Sequence, residues 1–559
     1  NTLQLSGMEN LTGSSAADTF NVNVSATVDI DAGDDADQFN VASGAVITGL
    51  LAGGAGADNF DFNGVIALPT LDGGSGGDTL DLAGGTNAIN LSLNDATNIE
   101  TLIGTGQSDT LTGTSGDDSF NVTDNNGVDN GTVNSAVFTS FENLAGADGN
   151  DSFQFQNGLG LSGGIDGGAG SDVIDYSQYS TGVTINLSAG ISTNIAGGIA
   201  NIENAIGGQT GDTLTGSAAD NSLTGGLGDD VFFITDGGAD IVDDGAGSDT
   251  INFSLATGPI TIDLDSSSVQ TVRTGQTVTL DADGIENFVG SSADDVVRAA
   301  ILGAGPRSID GGGGSDRYET TSNSSNSWTI NGSNAGQLGT VNPVSITSVE
   351  NLAGGTSDDT FNFVDGGDIT GIINGNDGGD VVSFAAPRTQ AANVNIGRLV
   401  SIETLVGSVA DDTLTAAAGG TDFVVNAANA GTADAIVFSS FENLAGAAGN
   451  DSFTFNAGGS LASAVDGGAG SNSLVLTDGD DVIDLSGVSA SVGYSGTAAG
   501  TTDFANITSI DARLGGNVLT GLDLTASWTI AAAGNYTTGT SPNERTLNFT
   551  NLDTVRGGS

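Results

Sequence analysis

The 559-residue chain has no cysteine, no histidine and no lysine. The first absence excludes disulfide staples and thiolate metal sites. The other two remove the side chains that most often act as general acids and bases near neutrality, and only five Tyr remain. No acidic pair stands outside the repeats beside an Arg, and no inserted loop breaks the periodicity to build a cleft, so an enzyme is not expected. Positive charge is scarce as well. Nine Arg, the first of them Arg273, face 69 acidic residues, for a formal net charge of −60. Nucleic acid and anionic membrane surfaces are therefore excluded as partners, because both need a basic face. No apolar run approaches the ~18 residues of a membrane helix, so membrane insertion is not expected.

What abounds is glycine, 90 residues of it, and acid of one kind, 59 Asp against 10 Glu. A halophilic surface or a disordered acidic tail would use both acids freely. Asp in excess, with Gly and Asn, points instead to recurrent tight turns, where a short carboxylate bonds the backbone and Gly supplies positive φ. The Val, Ile, Leu, Phe and Thr between the turns suit strands.

Two motifs recur in one register. The first is centred on Glu9, Glu100, Glu142, Glu203, Glu286, Glu350, Glu403 and Glu442, each after an apolar residue, with Gly four residues later and Asp nine residues later. The second is G-G-x-G-x-D followed by alternating apolar residues, as in GGAGADNFDF from Gly53 and GGAGSDVIDY from Gly167. The Gly of the first motif is position one of the second, and the Asp is position six. Position eight is apolar almost throughout, from Phe20, Phe60 and Leu80 to Phe453 and Leu474, and reads as a core ladder. Successive units are often 20 or 21 residues apart, as from Asp37 to Asp58 to Asp78.

A period of ~20 residues that holds two turns and two short strands fits one coil of a parallel β-solenoid. The expected fold is all-β, a parallel β-solenoid (β-helix or β-roll) with coils of about 20 residues, forming one continuous array over 1–559 and a rod on the order of 130 Å long. Segment 100–176 is repeated at 403–477, most visibly where SFENLAGADGNDSFQF recurs as SFENLAGAAGNDSFTF. The array stops in mid-repeat at Ser559, so the chain is expected to be an excerpt of a longer one.

The unit G-G-x-G-x-D-x-φ-x, with its tandem stretch GGQTGDTLTGSAADNSLTGGLGDDVFFI, resembles the calcium-binding nonapeptide of RTX (repeats-in-toxin), hemolysin-type proteins. That resemblance implies parallel β-rolls with Ca²⁺ between adjacent turns. Together with the ENLxG element and a W-T-I element at Trp328 and Trp528, the chain resembles the repeat region of giant secreted bacterial adhesin-like surface proteins. It departs from the RTX pattern in that most units stand singly at ~21-residue spacing rather than in unbroken nonapeptide runs.

The candidate metal ligands are the position-six residues Asp18, Asp37, Asp58, Asp78, Asp109, Asp118, Asp151, Asp172, Asp212, Asp230, Asp249, Asp295, Asp316, Asp359, Asp380, Asp412 and Asp451. If they stack coil on coil, carboxylates repeat at ~4.8 Å, and neighbours repel by roughly 1 kcal/mol in water and several at an effective dielectric of ~20. A hard divalent cation that takes carboxylates and turn carbonyls as ligands would turn this repulsion into cross-links, and Ca²⁺ suits an irregular oxygen cage better than Mg²⁺. The competing reading is an Asx-turn with no metal, and Asn221 and Asn472 in the same slot speak for it at some positions. Metal is favoured over bare turn where the full G-G-x-G-x-D is present, and the two stand level in Glu-linked units with Ser or Ala in place of the inner Gly. For the eight Glu, a cap on turn amides and a calcium ligand are both open.

The functional expectation is a non-enzymatic, Ca²⁺-stabilised structural segment of a secreted or cell-surface bacterial protein, forming a fibre, surface layer or adhesin stalk and able to self-associate end to end or side by side. The alternative is an adhesive module that recognises glycan or a cell-surface receptor through a solenoid flank. Ser322 to Val344, with Trp328, is its one candidate region.

Overall fold

The computed structural model describes residues 8–64, 68–123, 129–281, 285–301, 307–488, 493–522, 526–529, 533–538 and 545–558. They fall into two compact units, Asn1–Val289 and Gly290–Ser559. The regular structure of both is almost wholly short strands, most of which pair in parallel with the next coil, as the repeat predicts.

In the first unit each early coil gives one strand to each of two parallel ladders. Asn10–Thr12, Asp29–Asp34, Leu50–Gly56 and Thr70–Gly76 form one. Thr19–Val22, Gln38–Val41, Asn59–Phe62 and Thr79–Asp81 form the other. The register follows the motif: Phe20 pairs with Phe39, Phe39 with Phe60 and Phe60 with Leu80. Every second side chain of these strands is buried, as the period of two requires. Phe60, Leu80, Phe153, Phe361 and Phe453 of the position-eight column are fully buried, whereas Phe20, at the first rung, is half-exposed. Aligned rings follow from the parallel register. Phe39 stacks on Phe60 at 4.5 Å between centroids, and Phe120 stacks on Phe153 at 4.9 Å.

The parallel pattern is interrupted by three-stranded antiparallel meanders. Ser119–Val122, Asn130–Val133 and Ala136–Thr139 make one in the first unit, its last strand parallel to Thr101–Ile103 and its first to Ser152–Phe155. In the second unit Ser327–Gly332, Ala335–Leu338 and Val344–Thr347 make another, and Asp422–Ala427, Ala430–Ala433 and Ile436–Ser439 a third. Their tight turns use left-handed Asn and Asp, with φ of 54° at Asn134, 51° at Asn334 and 51° at Asp434. Each meander adds rungs without a new motif. For this reason Asp118 and Asp151 are 33 residues apart yet hydrogen-bonded neighbours.

Trp328 lies on the first strand of its meander, fully buried and stacked on Phe361 at 5.6 Å. The indole proposed for a recognition flank is thus a core side chain. The side chain of Trp528 lies outside the described residues.

Candidate metal centres in a ladder of carboxylates

The position-six carboxylates do stack. The backbone N–H of Asp18 donates to Oδ1 of Asp37, that of Asp37 to Asp58, and that of Asp58 to Asp78, each at 2.7 Å. The same contact joins Asp118 to Asp151, Asp151 to Asp172, Asp212 to Asp230, Asp230 to Asp249, Asp295 to Asp316, and Asp359 to Asp380. Asp109, Asp412 and Asp451 accept from Ile89, Ala392 and Thr421. Every predicted site residue except Asp18, which is half-buried, is shut off from solvent.

The Glu residues belong to the same ladder. Oε2 of Glu100, Glu142, Glu203, Glu286, Glu350, Glu403 and Glu442 accepts the N–H of Asp78, Asp109, Asp172, Asp249, Asp316, Asp380 and Asp412, at 2.7–3.0 Å. The longer side chain reaches the amide from a position outside the turn. The amide cap, one of the two readings left open, is formed by Oε2 of these seven Glu.

The second oxygen divides sixteen of the seventeen site residues, all but Asp249, in two. At Asp18, Asp109, Asp118, Asp212, Asp295, Asp359, Asp412 and Asp451, Oδ2 accepts the N–H of the residue at position two, for example Ser14, Thr114, Gly355 and, longer at 3.2 Å, Ala447. Thr105, Ser291 and Ser408 add a hydroxyl donor to Oδ1. At Asp37, Asp58, Asp78, Asp151, Asp172, Asp230, Asp316 and Asp380, Oδ2 is buried with no hydrogen-bond partner. The cause is local. In these turns position two is left-handed, with φ of 100° at Gly54, 97° at Gly168 and 102° at Gly226, which turns its N–H away from the carboxylate. The left-handed conformation at position two, taken by Gly in most of these turns and by Ala147 and Asn376 before Asp151 and Asp380, therefore decides whether the second oxygen is satisfied by the protein.

What faces the unpartnered oxygen is another acceptor. A Cβ added at Gly167 would lie 2.5 Å from Oδ2 of Asp172 and 2.0 Å from the carbonyl oxygen of Asn201 in the next coil. At Gly53 the neighbours would be Asp58 Oδ2 at 2.3 Å and Gly73 O at 2.6 Å. At these turns a Cβ at position one would crowd both oxygens, which accounts for the Gly found there. The Asn slots show how such a pair is satisfied when a donor is present: Nδ2 of Asn472 donates to the Asn506 carbonyl at 3.2 Å, and Nδ2 of Asn517 donates to the carbonyls of Ala512, Arg513 and Asn551. In the Asp slots that donor is replaced by an oxygen, so the two acceptors call for a proton, a cation or a water that donates to both.

Burial raises the affinity of these carboxyls for a proton. Asp151 is pushed up to about 6, and Asp230 and Asp316 to about 7, first by desolvation and then by neighbouring carboxylates, against the lowering effect of the N–H each accepts. Asp58, Asp78, Asp172 and Asp380 shift upward for the same reasons. Three of the nine Arg are engaged elsewhere: Arg273 pairs with Asp236 at 2.5 Å, and Arg298 and Arg317 share Glu319.

Three ladder members were not anticipated from the sequence. Asp240, in TDGGAD, accepts the N–H of Asn221 and is pushed up to about 6 by burial. Asp481 is buried with Oδ2 unpartnered, and its N–H donates to Asn517. Asp244 is buried at position one, where other turns carry Gly. For Asp240 and Asp481 the usable signal was a spacing of 19 residues from Asn221 and nine from Asn472; for Asp244 it was its place five before Asp249.

No protein-family model matches the chain, and no curated protein matches it significantly.

Proposed function

We propose that the chain is a non-enzymatic structural segment of an extracellular or cell-surface bacterial protein, a β-solenoid whose turns with an unpartnered position-six oxygen bind Ca²⁺ and are stiffened by it. The observation that carries this reading is the row of buried Asp Oδ2 atoms without a donor, each beside a backbone carbonyl of the next coil. Such an all-oxygen, acceptor-only set matches what Ca²⁺ takes as ligands. Asp58, Asp78, Asp151, Asp172, Asp230, Asp316 and Asp380 would hold the ion, and the carbonyl across the turn would tie one coil to the next. The resemblance to RTX repeats points the same way, and a stiff array suits a fibre, surface layer or adhesin stalk.

The chemistry also supplies a folding control. Where calcium is scarce, the ladder carboxylates repel and the chain stays unfolded and exportable; where calcium is millimolar, binding and coil formation are one reaction. Circular dichroism of the chain stripped with EGTA and then titrated with CaCl₂ tests this. A strand signal that grows with calcium supports it, and an unchanged strand signal after chelation overturns it.

A further inference from the structure

We infer that Asp244, Asp249 and Glu286 form a dedicated divalent-cation site, tighter than the repeat turns around it, that ties the turn 244–249 to the segment carrying Glu286. This goes beyond the ladder, because it depends on Asp244, which the repeat motif does not supply.

One carboxylate oxygen from each of the three residues lies within 4.8 Å of the others, and Asp244 forms a second such group with Asp243 and Asp281. Asp244 and Asp249 are 2% and 1% exposed, and Glu286 is half-buried. Asp249 commits Oδ1 to the N–H of Asp230, and Glu286 commits Oε2 to the N–H of Asp249, so both are held in place by backbone donors. Asp244 Oδ1, by contrast, is buried with no hydrogen-bond partner. In most other turns of the ladder position one is a Gly, with no Cβ beside Oδ2. Here that position carries a second carboxylate, and the turn is still formed, with Gly245 left-handed at φ 82°. Three carboxylates that converge in a buried place ask for a charge of +2 or for protons. An all-oxygen set with carboxylates from two segments is a site for Ca²⁺ rather than for a softer metal.

Equilibrium dialysis with radioactive calcium, at low free Ca²⁺ and with excess Mg²⁺, reads the site directly. The expected result is a class of one tight ion per chain, lost in Asp244→Asn and weakened at least tenfold in Glu286→Gln, which keeps an oxygen for the Asp249 amide. Asp95→Asn, at an exposed acid outside the ladder, should retain it. If Asp244→Asn fails to fold, Glu286→Gln decides. A tight ion retained by both variants, or calcium bound only in one uniform weak class, overturns this site and leaves the ladder reading standing. No calcium bound at any concentration overturns both.

Discussion

Asp172 accepts the backbone N–H of Asp151 on Oδ1 at 2.7 Å, across 21 residues of sequence, while its Oδ2 is buried without a partner. One oxygen sets the register of adjacent coils and the other is free to bind. This division of labour within one carboxylate connects the repeat to the proposed calcium binding.

An amide in the same slot should uncouple folding from calcium. In Asp172→Asn, Nδ2 can donate to the Asn201 carbonyl as Asn472 does to Asn506. In EGTA the variant should gain on the order of 1–3 kcal/mol for the acceptor that is now satisfied, and in saturating calcium it should be less stable than the parent. Thermal melts under both conditions check the crossing, and a variant destabilised in both would contradict the donor argument.

The Glu caps should act through hydrogen bonding rather than charge. Glu350 accepts the Asp316 N–H at 2.8 Å and the Asn334 side-chain amide at 2.8 Å. Glu350→Ala leaves a buried N–H unsatisfied and should cost about 1–3 kcal/mol, whereas Glu350→Gln keeps an acceptor and should lose less than half of that. Urea unfolding of both variants measures the difference.

Acidity should replace calcium. Unfolded carboxyls ionise near pH ~4, whereas in the folded coils Asp230 and Asp316 keep their protons to about 7. Between these values the folded state binds more protons, so in EGTA stability should fall as pH rises from ~4 to ~7 and stay low above. The expected drop in Tm is roughly 10 °C. With calcium bound the ionised form is favoured, and the trend should flatten or reverse.

The aromatic ladder should be as costly to break as any globular core. Phe153 is fully buried against Phe120. Phe153→Ala should cost about 3–5 kcal/mol, and hydrogen exchange should localise the loss to the rungs next to Ser152–Phe155.

Much of this was legible in the sequence because the repeat is written in residues with single physical uses. Alternation at Phe60 and Phe62 marks an inward face, and Asp58 six positions into a Gly-rich turn marks the stacked carboxylate. The full motifs also differ in structure from the Ser- and Thr-bearing turns: Gly54 and Gly168 take φ values that turn position two away from Oδ2, whereas Ser14 and Thr114 cap it. The meanders were not legible. Asn130–Val133 pairs antiparallel with both neighbours, yet its residues, NGTV, carry no period that separates a rung from a loop. Asp244 escaped notice because its meaning lies in Glu286, which folding brings from 42 residues away.

The central claim is that the unpartnered oxygens, and not all ladder carboxylates, are the calcium ligands. Bound calcium should be counted by equilibrium dialysis in two multiple variants. One carries Asn at Asp58, Asp78, Asp172, Asp316 and Asp380, where Oδ2 is bare, and the other at Asp109, Asp118, Asp295, Asp359 and Asp412, where Oδ2 is capped. The first should lose several ions per chain and the second almost none. Equal losses from the two sets, or no loss from the first, would contradict the account.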